Sequence, residues 1–266
     1  MANFVTARYA HFVAPTTATA SSSQSSFPAT NVLSVTTPNT PWKGTATIST
    51  SDWVLLNFGA ATSLAAIVID HTNAATLTLK GKATDTSWGS PSWTSGALTV
   101  SEDEHSGRRK LYHVPTGTGS PFNYQYLRIE CGVSTSTDGS SNWRIGSVLC
   151  VSTISTWDTN TGFPHGPEAH EAVDDGLKAG GGGEPTSIGN RYAHIVLPTS
   201  TFTGSTQLQI WKDLLSQSRA DPLMYYRNNG DDSEVYICHR LGVVRGPSLT
   251  APNAYEIQSV VLREVV

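Results

Sequence analysis

The chain has 266 residues, enough for two domains of ordinary size. Only 14% of the residues are charged and 38% are hydrophobic, with a formal net charge of −4. This excludes a charge-rich disordered chain and leaves no basic footprint for nucleic acid or an anionic membrane. Three cysteines without a CxxC pair make no disulfide framework. Cys131 and Cys150 each end a predicted strand, as neighbours in one sheet, and read as buried reduced thiols. The first twenty residues lack a basic start followed by an apolar run, so no signal peptide is expected and synthesis in a cytoplasm is. No apolar run approaches the ~20 residues of a membrane span, so no membrane insertion is expected.

Residues 1–26 read as a short strand, Arg8–Val13, followed by a loop or arm at Thr16–Ser26. Phe27–Leu33 opens the packed region. Pro38, Pro41 and Trp42 then lie in a long loop before a segment at Thr45–Thr50. Ser51–His71 reads as the central hairpin. Trp53 and Leu55 point one way, and Val54, Leu56 and Phe58 the other. Gly59–Ser63 is a small-residue turn, and Ala65–Ile69 is apolar on both faces, as in a buried strand. Asp70-His71-Thr72-Asn73 closes the hairpin with turn formers. Ala75–Ala83 alternates, with Leu77 and Leu79 inward. Thr84–Ser95 is a loop carrying Trp88 and Trp93, and Ala97–Val100 is a further strand. Ser101–Lys110 is a charged cluster with the pattern of a solvated loop. Lys110–Val114, Tyr124–Cys131 and Ile145–Val151 complete about eight strands with no helical period. That pattern predicts a β-sandwich or jelly roll over residues 27–152.

Residues 153–186 change character and read as a Gly/Pro/His/acidic linker. His165, Glu168, His170, Glu171, Asp174 and Asp175 are metal-ligand types, but their spacing fits no ligand motif, so no metal or other cofactor is assigned. Gly180–Gly183 has no strand before it and no GK[ST] after it, so it is not a phosphate loop. In residues 187–266, Tyr192–Leu197 is a strand. Leu208, Trp211 and Leu215, with Ile210 and Leu214, predict an amphipathic helix over Ser205–Gln217. Leu223–Arg227 and Glu234–Leu241 flank a hairpin turn at Asn228–Asp231, and Tyr255–Val265 is the final strand. The order is β-α-β-β-β, a small α+β unit. Arg8–Pro15 and Arg191–Pro198 match at six of eight positions, too short a segment to define a repeat.

The motifs PATNVL (Pro28–Leu33), PWKG (Pro41–Gly44), Asp52–Asn73, ATLTLKGKA, YQYLRIEC (Tyr124–Cys131) and RIGSVLCV (Arg144–Val151) carry a resemblance. Through them Phe27–Val151 resembles the galactose-binding-like jelly roll of the discoidin and coagulation-factor C-type domains. With NRYAHIVLP, the helix, PLMYYRNNGDD and NAYEIQSVVLREV added, the chain is similar to tail-tip or baseplate proteins of long-tailed bacteriophages. The resemblance implies a mainly β fold, a galactose-binding-like jelly-roll sandwich followed by a small α+β ring-forming domain. It implies a distal-tail-like structural protein in the virion tail tip, assembled as a homo-oligomeric ring with tail tube and baseplate proteins. It also implies a carbohydrate-binding-like module presented to host surface glycans. The N-terminal arm and the last strand are the candidates for pairing between subunits.

Trp42, Trp88, Trp93 and Trp143 fall in loops or at strand ends. Trp88 and Trp93 are the candidate pair for stacking on a sugar ring, and Trp42 the candidate plug of the barrel end. No GxSxG, catalytic Cys-His signature or Walker A occurs, and Glu102, Asp103 and Glu104 are adjacent rather than opposed. The chain is therefore not read as an enzyme. Three classes remain in order: a structural tail-tip protein, a carbohydrate-binding adhesion module, and an enzyme accessory domain or hydrolase.

Overall fold

A computed structural model describes residues 8–34, 40–45, 48, 52–102, 109–115, 121–132, 136–156, 168–170, 173–174, 186–187, 192–197, 200–216, 222–226, 235–241 and 246–264. The first part of the chain forms β1 (Arg8–Val13), β2 (Thr17–Ala20), a 3-10 turn at Ala29–Leu33, β3 (Trp42–Lys43), β4 (Trp53–Ser63), β5 (Ala66–Asp70) and β6 (Thr76–Lys82). It continues with β7 (Trp93–Thr99), β8 (Ser101–Glu102), β9 (Arg109–His113), β10 (Asn123–Cys131), β11 (Arg144–Ile145) and β12 (Ser147–Thr156). The second part forms β13 (Glu168–His170), β14 (Val173–Asp174), β15 (Thr186–Ser187), β16 (Tyr192–Leu197), β17 (Ser200–Thr203) and α1 (Ser205–Ser216). It ends with β18 (Leu223–Tyr226), β19 (Val235–Leu241), β20 (Ser248–Ala251), β21 (Ala254–Ile257) and β22 (Val260–Glu264).

Two antiparallel layers make the jelly roll. One has the order β2-β4-β10-β6-β7, and the facing layer contains β1-β12-β5-β9-β8. Strand alternation explains the core between them. Val54, Leu56, Leu77, Leu79, Leu127 and Ile129 of the first layer meet Ile67, Ile69, Leu111, Val148 and Cys150 of the second. Trp42, Trp93 and Trp143 fill the remaining volume and are 0%, 1% and 0% exposed. Trp42 is the expected plug. Its Nε1 donates to Ser22 O at 2.9 Å and to Ser23 Oγ at 3.1 Å.

Several local readings are revised. The tract read as a loop holds β2, paired with β4 across Thr17↔Asn57 to Ala20↔Val54. Its core side chains are only the small Ala18, buried, and Ala20, partly buried, too weak an apolar signal to announce a strand. Gly59–Ser63 is not the hairpin turn, because β4 runs through it. Gly59 adopts φ +79°, its N–H donates to Asn57 Oδ1 at 2.8 Å, and the register slips opposite Gln125. This is a glycine-centred bulge, and the strand bends without ending. Cys131 and Cys150 lie in facing layers rather than one sheet. All three cysteines are free and buried. Burial pushes the thiol of Cys131 well above its ordinary range and that of Cys150 up to about 12.

Strand β5 is buried on both faces, as its sequence predicts. Ile67 and Ile69 face the sandwich core. Ala66 and Val68 belong to a second cluster with Tyr112, Leu149, Val151, Met224 and Ile237. Met224 and Ile237 come from β18 and β19, which belong to the same sheet. That sheet has ten strands in the order β13-β16-β22-β19-β18-β1-β12-β5-β9-β8. Lys110 of β9, expected in a solvated loop, is 2% exposed, and its ammonium sits 4.7 Å from the ring of Tyr236 in β19. Those strands are five places apart, on the order of 24 Å in a flat sheet. The sheet therefore coils back on itself, and Tyr236 shields Lys110 by a cation–π contact.

Strand β1 joins the two parts. It pairs with β12 through Arg8↔Thr156 to Val13↔Cys150 and with β18 through Arg8↔Tyr226 to Ala10↔Met224. Beyond it, α1 packs Trp211 and Leu214 against Leu197, Leu223, Tyr225, Cys238, Ile257 and Leu262. The predicted helical stripe is confirmed, ending one residue earlier. The predicted final strand is two strands. β21 pairs with β17 and β20, and β22 pairs with β16 and β19, because the polar Gln258-Ser259 pair breaks the run between the two sheets. Neither β1 nor β22 is a free edge, which corrects the expectation that these strands pair between subunits. β13, within the stretch read as a linker, pairs with β16. The Asn228–Asp231 turn and most of Thr45–Thr50 lie outside the described residues.

Deleting residues 1–13 removes hydrogen-bonded neighbours from both β12 and β18. We expect the thermal midpoint to fall by about 10 °C or more, with new proteolytic cuts on both sides of β18. An unchanged midpoint in calorimetry contradicts the joint role of β1.

Candidate functional site

A polar pocket opens at one end of the sandwich, and strand alternation builds it. β3 and β11 form a two-residue ribbon with Trp42 opposite Ile145 and Lys43 opposite Arg144. Trp42 and Ile145 are driven into the core, each 0% exposed. Lys43 and Arg144 are therefore turned the other way. They line a cavity of about 200 Å³ with Gln24, Ser140 and Asn142. This is below the ~300 Å³ at which sites for drug-sized ligands begin, so it suits one unit of a chain or one small molecule.

One wall is the turn from Gln24 to Phe27. Gln24 N–H donates to Lys43 O at 2.9 Å, and Lys43 N–H to Phe27 O at 3.2 Å. Gln24 Nε2 donates to Gly44 O at 3.0 Å, and the Lys43 ammonium lies 4.0 Å from the Phe27 ring centroid. A Cβ on Gly44 would come within 2.9 Å of Asp52 Oδ2, so the Asp52 carboxyl would have to shift to admit a side chain there. Asp52 is buried behind it. Burial pushes its carboxyl up, against the weaker effect of hydroxyls from Ser21 at 3.3 Å and Ser22 at 3.5 Å.

The other wall is organised by Asn73, which is 1% exposed at the end of the turn after β5. Its Nδ2 donates to Asp138 Oδ1 at 3.2 Å and to Asn142 O at 2.9 Å, and its Oδ1 accepts from Arg144 N–H at 2.8 Å. Its carbonyl accepts from Thr137 N–H at 2.9 Å and from the Thr137 hydroxyl at 3.1 Å. Thr72 Oγ1 donates to Arg144 O at 3.0 Å. Asp138 pairs with Arg144 Nη2 at 3.1 Å and accepts from Ser140 N–H at 3.0 Å. Burial alone would raise the Asp138 carboxyl. Hydrogen bonds from Ser140 and Asn73 and the charge of Arg144 outweigh it and hold the group at about 2. Hydrogen bonds and one ion pair thus tie this wall together, and the pocket presents ammonium, guanidinium, amide and hydroxyl groups.

The expected stacking pair does not form one platform. Trp93 starts β7 inside the core, 1% exposed, against Phe122 at 5.4 Å and 86°, so its faces are closed to a sugar. The loop reading failed because Trp93 faces inward on a strand that begins at Trp93 itself. Trp88 lies on the opposite, outer face of that layer. The Arg128 guanidinium sits 4.5 Å from the Trp53 ring and 5.6 Å from the Trp88 ring, while Trp88 Nε1 donates to Asp85 Oδ1 at 2.9 Å. Lys82 Nζ holds the same loop through Thr86 O at 2.8 Å and Ser87 O at 3.0 Å. Trp88 thus fastens a loop to the sheet. Among the described residues no group of three or more His, Cys, Asp or Glu is placed to hold a metal ion. His165, Glu171 and Asp175 lie outside them. The pocket residues escaped the sequence reading. The available signals were the turn-forming Asn73, in the turn after a doubly buried strand, and the motifs PWKG and RIGSVLCV, which carry Lys43 and Arg144.

Residues 12–102, about a third of the chain, match the family described as XRCC1 N terminal domain. This agrees with the jelly roll seen here. No curated protein matches. Among solved structures, the chain is similar to a variant of chitosan-binding module 1 of a chitosanase/glucanase from Paenibacillus sp. IK-5. That similarity is at 17% identity over 53% of this chain and 98% of that one, with a TM-score of 0.37. It is similar to reduced XRCC1 bound to the DNA polymerase β catalytic domain, at 15% identity over 55% and 99%, with a TM-score of 0.39. It is also similar to the family 32 carbohydrate-binding module of Clostridium perfringens NanJ in complex with galactose, at 12% identity over 52% and 93%, with a TM-score of 0.34. By name these are two carbohydrate-binding modules and a polymerase-bound domain.

The Asp138 carboxyl is held below its unfolded value of ~3.9, so its stabilising effect is complete above that value and is lost as pH falls through about 2. Urea unfolding of Asp138→Asn and the parent should therefore differ most above pH 4 and converge toward pH 2. A difference independent of pH over that range contradicts the assignment.

Proposed function

We propose that the protein is a non-catalytic saccharide-binding protein whose jelly roll holds one sugar unit in the pocket of Gln24, Lys43, Ser140, Asn142 and Arg144. The observation that carries this reading is the pocket itself, a small cavity of about 200 Å³ lined by polar side chains at one end of a sandwich. Sugar hydroxyls both donate and accept. The Gln24 and Asn142 amides and the Ser140 hydroxyl do both, while Lys43 and Arg144 donate. Host-surface glycans are the partner class this favours. On a glycan array, the Gln24→Ala/Asn142→Ala double variant should lose binding by at least tenfold, and Trp88→Ala should retain it. Loss with Trp88→Ala alone moves the site to the outer sheet face, and no retention of the parent on any glycan overturns the reading.

A second reading is favoured by a different feature. β20 is an edge strand of the β17-β21-β20 sheet, with all four residues exposed, and Leu249 is 66% exposed. An exposed edge with an apolar residue is a template for pairing with another chain. It suits the α+β part as a ring-forming module in a homo-oligomer at a virion tail tip, beside tail tube and baseplate proteins. Mass photometry should show one symmetric oligomer that Thr250→Pro dissociates. A monomer, or an oligomer indifferent to that substitution, removes β20 as the contact.

A further inference from the structure

We infer that the pocket selects a saccharide carrying an anionic substituent, a carboxylate or a sulfate; this rests on the saccharide-binding reading above. Lys43 and Arg144 are direct cross-strand partners, so two like charges stand opposite each other on a two-residue ribbon. Such pairs destabilise a sheet. Here the register cannot relieve them, because shifting it by one residue would expose Trp42 and Ile145, both wholly buried.

The available counter-charge falls short. Asp138 meets Arg144 at 3.1 Å, and its other oxygen accepts from Ser140 and Asn73. Arg144 Nε is buried with no hydrogen-bond partner among the described residues. The Lys43 ammonium has the Phe27 ring at 4.0 Å, and an aromatic face attracts a cation without cancelling its charge. Gln24, Ser140 and Asn142 add no charge. Among the residues that line the cavity or pair across it, two cations face one carboxylate, Asp138, and Asp52 lies behind Gly44, outside the lining. An anionic group on the ligand would sit between the two cations, relieve their repulsion and leave the amides and the hydroxyl to read the ring. Lys43 is the specificity-determining residue, because Arg144 already shares its charge with Asp138.

The test uses matched array pairs that differ only in the anionic group: galactan against galacturonan oligomers, and galactan against sulfated galactan oligomers. The full chain should bind at least one acidic member at least tenfold more tightly than its neutral partner, and the gap should narrow as salt rises. Which acidic member wins tells carboxylate from sulfate. Lys43→Gln should lower binding of the acidic member about tenfold more than that of its neutral partner and so close the gap, and Lys43→Arg should keep it. Equal binding of acidic and neutral members, or a gap that survives Lys43→Gln, overturns the inference and leaves saccharide binding standing. Binding to neither class overturns both.

Discussion

Everything in this molecule hangs on one strand with two neighbours. β1 carries the ladder of the jelly roll on one edge, through β12, and the ladder of the C-terminal strands on the other, through β18. Backbone N–H and C=O groups must be satisfied somewhere, and in a sheet that obligation is met by the next strand. Here meeting it on both edges merges two units that the composition separates. The ten-stranded sheet that results then coils, and the contact between Lys110 and Tyr236 records the closure. The second apolar face of β5 follows from this. Without β18 and β19 in the same sheet, Val68 and Leu149 would lack two of the apolar side chains that share their cluster, Met224 and Ile237.

The pocket obeys the same logic on a smaller scale. No loop was shaped around a ligand at β3 and β11. Two residues on each strand had to alternate, and burying Trp42 and Ile145 turned Lys43 and Arg144 outward. Asn73 holds the facing loop with its amide and its own carbonyl, so side-chain and backbone hydrogen bonds from one buried residue set the geometry of three segments. A buried polar group with all its partners rigidifies its surroundings, and that rigidity aims the two cations.

Much of the sandwich was legible in the sequence, because alternation is a local signal. Leu77/Leu79 and Leu127/Ile129 announce their inward faces, and the continuous Ala66–Ile69 run announces a strand covered on both sides. What covers it was not legible, since Met224 and Ile237 lie more than 150 residues away along the chain. Trp93 misled for a related reason. An indole beside Pro91 and Ser92 looks like loop surface until the pairing of Gly81 with Trp93 puts it in a strand. The site was least legible of all. Gln24, Lys43, Ser140, Asn142 and Arg144 form no linear motif and meet only when β3 pairs with β11.

The joint at β1 also has a temporal side. Its two partners are synthesised about 140 and about 215 residues after it, so neither ladder forms until most of the chain exists. The growing polypeptide carries a strand with no one to pair with for most of its synthesis. Folding is thereby deferred and made slow, and the interval in which β1 is unclaimed is the interval in which two nascent copies can capture each other's strand.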